Sequence, residues 1–330
     1  MSSIPDTIEA ITVAKTGGFE VIEKTTIPFE VDPSHVVVKV DGLYPFPSLP
    51  ATLGKEASGT IVALPTDKSV LEDEDFKKRG YSVGQKVAVD YLGSHGTYAS
   101  LPFKTVYPIP DSISTLTAAA ALVQSLTAVT FFEEAYQVKK GDVILIHTVA
   151  GGLGLLFTQL AKHIGATVIG TTSTEEKSKL AKENGTDHVI LYKQEDTVER
   201  VLELTNGQGV DAIFDGVGKD TFDNNFKIIK RKGTIVSVGN ASGAVPPFPV
   251  LKLVEKNVKL LRPTMNNYAY TPAEALYYGN KVFDLISKGV LKIHIFKEYP
   301  FTAEGVQQAQ KDLTGGKTTG KVVVNLSKTN

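Results

Sequence analysis

Cysteine and tryptophan are both absent from this 330-residue chain. Without cysteine there is no disulfide, no thiol nucleophile and no thiolate-ligated zinc, structural or catalytic. The six histidines (His35, His95, His147, His163, His188, His294) are scattered, and none stands in an H-x-x-x-H or H-E-x-x-H pair. No metal site is expected from such a pattern. Charge of one sign is equally scarce: 35 basic against 36 acidic residues leave a formal net charge of −1. No global field recruits nucleic acid or an anionic membrane. No apolar run approaches the roughly 20 residues that span a bilayer. The opening segment, MSSIPDTIEA, is polar and lacks the basic-then-apolar layout of a secretory signal. A cytoplasmic location is the expectation.

What is present is ordinary for a folded domain: 42% hydrophobic and 22% charged residues. The length suggests two domains, at about 100–200 residues each. From about Val143 to Met265, short β-branched runs alternate with helical stretches. The strand candidates are VILIHTV, ATVIGTT, HVILY, VDAIFDGV, GTIVSVG and VKLLRPT. Nearly continuous apolar runs fit strands buried on both faces of a parallel sheet. Between them, LLFTQLAKHIG, EEKSKLAKENG, VERVLELTNG, DTFDNNFKIIKRKG and PVLKLVEKN read as crossover helices, several ending at Gly or Asn. The expected class is α/β, a doubly wound parallel sheet of the Rossmann kind. The first 120 or so residues instead offer short strands broken by Gly and Pro, which predicts a β-rich domain. A closing strand, KVVVNL, predicts that the tail returns to it. The nucleotide domain would thus be an insertion. The charged stretch DKSVLEDEDFKKRG, Asp67 to Gly80, reads as a solvated loop.

The segment VILIHTVAGGLGLLFTQLAKHIGA, from Val143, places a glycine turn between a strand and a helix. That is the context a dinucleotide turn requires. In the G-x-G-x-x-G frame the three positions are Val149, Gly151 and Gly154, with Gly152 as a further residue lacking a Cβ. Gly151 and Gly152 let the backbone approach a pyrophosphate at the helix N-terminus, and Gly154 permits close packing. Val149 is less permissive than glycine, which predicts a wider first turn. An acidic residue some 20 positions on would bind the ribose 2′-hydroxyl of NAD. Here the chain reads GTTSTEEK: Thr171, Thr172 and Ser173 are neutral and Lys177 follows. A hydroxyl-rich turn with a cation suits a 2′-phosphate, and NADPH is the expected cofactor. Glu175 and Glu176 read as acidic residues favoured by a helix dipole.

With these residues in hand, the chain resembles the zinc-free medium-chain dehydrogenases/reductases, and among them the NADPH-dependent quinone oxidoreductases of the zeta-crystallin type. The likeness is carried by GLYPFPSLPATLGKEASGTI, GTYASL, QSLTAVTFFEEAYQVKKGD, HTVAGGLGL, GKDTF, RKGTIVSVGNASG and LRPTMNNY, which span nearly the whole length. The resemblance implies a GroES-like β domain over residues 1–122 and 266–330, with a Rossmann domain over 123–265. It also implies a homodimer that reduces quinones or related conjugated enones. Carried over by position, it puts Thr127 beside the nicotinamide, and Gly151, Gly152 and Leu153 at the pyrophosphate. Ser173, Lys177 and Tyr192 fall around the 2′-phosphate. Val238, Gly239, Asn240 and Ser242, with Thr264 and Met265, fall along the nicotinamide half. Gly54, Glu56 and Gly59 match the family's G-x-E-x-x-G turn.

Three positions depart from the family pattern. Gly316 stands where relatives carry an arginine, leaving Lys317 as a point charge for the 2′-phosphate. Gly216 replaces a serine. The loop that in relatives follows the strand HVVVKV, bearing an asparagine and a tyrosine toward substrate, is missing between Val40 and Gly42. Tyr44 is then the nearest hydroxyl, and the candidate hydrogen-bond or proton donor. Conjugated acceptors fit a metal-free protein because their own π system takes up the charge. The other function class implied by the resemblance is AU-rich RNA binding or a structural, crystallin-like role. Lys227, Lys230, Arg231 and Lys232 are the obvious basic patch for it.

Overall fold

The computed structural model of the chain describes residues 4–43 and 49–327. They divide into two compact units. The first comprises Met1–Val123, Ala269–Gly289 and Ile293–Asn330; the second comprises Gln124–Tyr268 with Val290–Lys292.

The first unit opens with β1 (Thr7–Val13), β2 (Ile22–Pro28), β3 (Val36–Leu43), β4 (Ala51–Thr52) and β5 (Glu56–Ala63). It continues through β6 (Lys86–Asp90), β7 (Tyr98–Leu101) and β8 (Val106–Pro108) to the start of helix α1 (Thr115–Thr130), whose residues from Gln124 onward belong to the second unit. A five-stranded antiparallel sheet runs in the order β7-β3-β5-β6-β8. Alternating inward residues, among them Val36, Val38, Ala57, Ile61, Val87 and Val89, fill its core. Strand β3 runs unbroken through the place of the missing loop, with Asp41 opposite Ser58 and Gly42 opposite Ala57.

Asp67 to Gly80 is not a loop. Asp67 and Asp73 cap two short helices, Lys68–Glu72 and Glu74–Lys77, by accepting hydrogen bonds from backbone N–H groups. Phe76 is buried, and so is Arg79, whose guanidinium donates to the carbonyls of Val106 (2.8 Å) and Pro272 (2.9 Å). A run read as solvated by its charge is held by its caps and by two side chains turned inward.

The second unit holds β9 (Val143–Ile146), α2 (Gly152–Ile164), β10 (Thr167–Thr172), α3 (Glu175–Glu183), β11 (His188–Leu191) and α4 (Thr197–Leu204). There follow β12 (Val210–Asp215), α5 (Phe222–Ile228), β13 (Ile229–Ser237) and β14 (Lys259–Leu261). The six strands are parallel, in the order β11-β10-β9-β12-β13-β14. The Rossmann-type α/β class read from the sequence is the observed one. Leu145, Ile169, Ile190, Ile213 and Ile235, one from each of five neighbouring strands, form the core on one face. Two boundaries differ. Strand β13 begins at Ile229, four residues before the expected Gly233, because a register shift opposite Val210 and a left-handed Lys232 (φ 67°) absorb KRKG into the strand. PVLKLVEKN forms only a 3-10 turn, Val250–Leu253.

The tail adds α6 (Pro272–Ser287), β15 (Ile295–Pro300), α7 (Ala303–Thr314) and β16 (Lys321–Asn325) to the first unit. Phe301, Val306 and Val324 pack with Ile11, Ile22 and Leu53, so the tail completes an N-terminal core. One helical segment, Thr115–Ala135, is long and apolar enough to cross a bilayer, at 21 residues and mean hydropathy 1.5. The sequence reading passed over it. Two thirds of it is buried within the protein, the mark of a core helix.

Candidate cofactor site

Ligands of open parallel sheets bind beyond the carboxyl ends of the strands, where the strand order reverses. Here that point lies between β9 and β12. The chain leaves β9 through His147 and Thr148, and Thr148 takes φ 58°, a left-handed conformation that a β-branched residue rarely adopts. The next residue, Val149, is fully buried. Its side chain occupies space left by Gly170 on β10, where a Cβ would come within 2.6 Å of Val149 Cγ1. The missing first glycine is thus accommodated at two neighbours: Thr148 makes the backbone turn, and Gly170 makes room.

Gly151 donates its N–H to the Thr148 carbonyl (2.9 Å) and caps α2 without a side chain. The first helical bond runs from Leu155 N–H to the Gly151 carbonyl (2.9 Å). The N–H groups of Gly152, Leu153 and Gly154 are those a helix start leaves over. The first turn contains no acidic side chain. Such an end attracts a phosphate through both its donors and its dipole. A Cβ on Gly154 would lie 2.5 Å from the Thr148 carbonyl oxygen, so that glycine serves packing. A Cβ on Gly152 would meet only the amide of Gln124, at 2.6 Å. Gln124 escaped the sequence reading. It stands one helical turn before Thr127 on α1, and that i, i+3 spacing was the available signal.

At the end of β10, Thr171 and Thr172 are buried, while Ser173 is partly exposed. Thr172 pairs with Leu191, so Ser173 and the half-exposed Tyr192 emerge side by side from β10 and β11. Lys177 lies in the first turns of α3, behind the Thr174 cap and the dipole-favoured Glu175 and Glu176. Ser173 and Tyr192 thus stand at the ends of neighbouring strands, and Lys177 follows four residues after Ser173 on α3.

Val238 and Gly239 both donate to the Asp215 carbonyl (2.7 and 3.0 Å), drawing the loop after β13 onto the end of β12. Ser242 uses its hydroxyl within the loops, donating to the Val217 carbonyl (2.9 Å) and accepting from Asp220 N–H (3.0 Å). Asn240 is exposed. Thr264, exposed, and Met265, buried, follow β14, whose end is tied to β13 by Arg262 donating to the Ser237 carbonyl (2.6 Å).

Beneath the turn runs a buried polar chain. His147 Nδ1 lies 3.0 Å from Thr171 Oγ1, and Nε2 lies 3.0 Å from Asn225 Oδ1. Asn225 Nδ2 donates to Asp215 Oδ2 (2.6 Å), which also accepts from Thr221 (2.7 Å). Asp215 Oδ1 accepts from the N–H groups of Val217 (2.8 Å) and Gly218 (3.1 Å). The carboxylate can only accept, so the Asn225 amide must offer it NH₂ and keep its oxygen for His147. His147 then carries its proton on Nε2. It is a satisfied core histidine, as its position on the strand suggested.

In the first unit, Gly54 (φ 108°) belongs to the G-x-E-x-x-G turn because a Cβ would lie 2.6 Å from both His95 N and Ser94 Oγ. Glu56, 2% exposed, accepts from Val123 N–H (2.8 Å) and is ion-paired with Lys321 on β16. Burial pulls Lys321 down from its ordinary value to about 7. Lys317 is exposed in the same unit, after α7. Tyr44 lies outside the described residues. In the basic cluster Lys230 is paired with Asp211 (2.8 Å).

His95 is wholly buried, and neither ring nitrogen has a partner among the described residues. Burial lowers its pKa from 6.5 to about 3. A histidine depressed in the folded state leaves stability intact above pH 6.5. Between pH 6.5 and 3 the unfolded chain takes a proton that the folded chain refuses, so stability falls. Resistance of the wild type to urea should fall steadily from pH 7 to pH 5. The His95→Leu variant should show a shallower decline. Identical slopes would remove His95 as the cause.

Residues 152–277 match the family described as zinc-binding dehydrogenase. A quinone oxidoreductase of Pseudomonas aeruginosa is 33% identical over 95% of this chain and 98% of its own. A probable quinone oxidoreductase of Schizosaccharomyces pombe is 35% identical over 95% and 96%. The crystal structure of Escherichia coli quinone oxidoreductase complexed with NADPH superposes with a TM-score of 0.88 at 30% identity, covering 96% of this chain and 100% of that one.

Proposed function

The chain belongs to the quinone oxidoreductase family of medium-chain dehydrogenases/reductases, and we propose that it reduces quinones and related conjugated enones with NADPH. The observation that carries this reading is the glycine-lined start of α2, without a side-chain cap, together with the strand ends that carry Ser173 and Tyr192 and with Lys177 in the first turns of α3. In this reading the N–H groups of Gly152 and Leu153 receive the diphosphate, while Gly151 and Gly154 shape the turn. Ser173, Lys177 and Tyr192 hold the 2′-phosphate by hydrogen bonds and charge. Thr127 on α1, and the loops carrying Val238, Gly239, Asn240 and Thr264–Met265, enclose the nicotinamide. Once bound, NADPH supplies the electrons that a conjugated carbonyl accepts. The protein's part is orientation, with Tyr44 as the hydroxyl offered to the acceptor.

Steady-state NADPH oxidation with 1,2- and 1,4-quinones and short enones tests the proposal. Turnover with at least one conjugated acceptor and none with simple alcohols is expected. Silence toward every acceptor, with NADPH bound, would leave a cofactor-binding protein and overturn the enzymatic reading.

A homodimer through the sheet edge belongs to the same proposal, as does a cytoplasmic location. Strand β14 is the last in its sheet, and beside it Val250 (74%), Leu251 (79%) and Val254 (63%) are exposed. An unprotected edge flanked by apolar side chains invites pairing with another copy. Sedimentation at micromolar concentration should give the dimer; a monomer would refute it.

A further inference from the structure

We infer that Asn225, acting through His147, is a positioning residue for the dinucleotide turn, and that it compensates for the glycine this turn lacks. The inference rests on the cofactor reading above.

Thr148 carries the strained backbone of the turn. A left-handed conformation at a β-branched residue costs free energy and persists only where its surroundings over-determine it. Thr148 is itself exposed, so its own side chain packs against little. Its hydroxyl donates to the preceding residue, from Oγ1 to the His147 carbonyl (2.6 Å). The restraint must therefore come from the two neighbours. On one side, Val149 is buried and its N–H donates to the Thr171 carbonyl (3.0 Å). On the other, His147 is held at three points: its N–H by the Phe214 carbonyl (3.1 Å), Nδ1 by Thr171 and Nε2 by Asn225.

These partners come from β10, β12 and α5, the elements that surround the turn. Thr171 holds both flanks of Thr148, through its carbonyl to Val149 and its hydroxyl to His147. Asn225 links the imidazole to Asp215, whose other oxygen orders Val217 and Gly218. Removing Asn225 leaves the buried Nε2–H without an acceptor and takes a donor from Asp215. With His147 loosened, Thr148 is free to relax to a negative φ. Its carbonyl, which accepts from Gly151 N–H and closes over Gly154, would then swing away. The start of α2 loses its aim at the diphosphate.

The chain of cause passes through the backbone at Thr148, and glycine adopts that conformation without strain. A double-variant cycle on NADPH binding therefore separates positioning from general stabilisation. Asn225→Leu should weaken NADPH binding about tenfold and raise KM for NADPH while kcat at saturation stays near the wild type, because a buried donor is left unpaired. Thr148→Gly alone supplies the reference for the cycle, since glycine takes the same φ without strain. Combined with Asn225→Leu, it should return affinity to within about threefold of the wild type. Should Asn225→Leu fail to fold, Thr171→Val removes the hydroxyl at constant shape, and the same rescue is required of it. Wild-type affinity in a folded Asn225→Leu variant, or no rescue by Thr148→Gly, would overturn the inference. Absence of NADPH binding by the wild type would instead overturn the cofactor reading on which it rests.

Discussion

The Gly152→Asp variant is expected to bind NADPH about 100-fold more weakly than the wild type, or worse, because like charges about 4 Å apart near a protein surface repel by about 4 kcal/mol. The reason is local. Gly152 supplies one of the first unclaimed N–H groups of α2, at the positive end of the helix dipole. A carboxylate there takes the place of the diphosphate and repels it. Gly152→Ala is the control, since its Cβ meets only the Gln124 amide, the far end of a flexible side chain. That variant should stay within about tenfold of the wild type, or 1.4 kcal/mol. The change in NADPH's own fluorescence on binding measures both. Equal affinities for Gly152→Asp and the wild type would mean that the diphosphate lies elsewhere.

Lys321→Met carries the largest expected loss of stability. Glu56 is buried in the first unit, and Lys321 is its counter-charge from a strand 265 positions later. Taking away one member of a buried pair leaves an uncompensated charge, at a cost of about 3–5 kcal/mol. Urea denaturation should show that loss as a lower midpoint. The Glu56→Gln/Lys321→Met double variant removes both charges and keeps an acceptor for Val123 N–H. It should recover more than half of the deficit, because replacing a buried pair as a whole is far cheaper than breaking it. A double variant as unstable as Lys321→Met would show that the lysine acts by packing.

The pattern of these effects follows what a sequence can and cannot display. The six parallel strands were legible because strands buried on both faces are written as apolar runs, each short enough to read without ambiguity. Val149 was legible as an anomaly in the glycine frame. Its remedy was not, since Gly170 sits on the next strand and Thr148 shows its left-handed φ only in three dimensions. Asp67 to Gly80 misled because charge was weighed over capping, although Asp followed by a short polar-apolar run is itself a helix signal. The helical limit set by Gly233 was wrong for a related reason: KRKG looks like a helix end, yet a left-handed lysine lets the strand start earlier. Glu56 with Lys321, and His147 with Asn225, join residues far apart in the chain, and no local pattern encodes such pairs. The hydroxyl of Thr171, read as part of a phosphate corner, is turned inward to His147 and leaves that corner to Ser173.

In the proposed function a glycine-lined helix start and a strand end flanked by Lys177 together accept a 2′-phosphorylated dinucleotide. Parallel fluorescence titrations of the purified protein with NADPH and NADH test it most directly. Clear preference for NADPH, weakened toward the NADH value in Lys177→Ala, is the predicted result. Equal affinity for the two cofactors, or binding of neither, would contradict it.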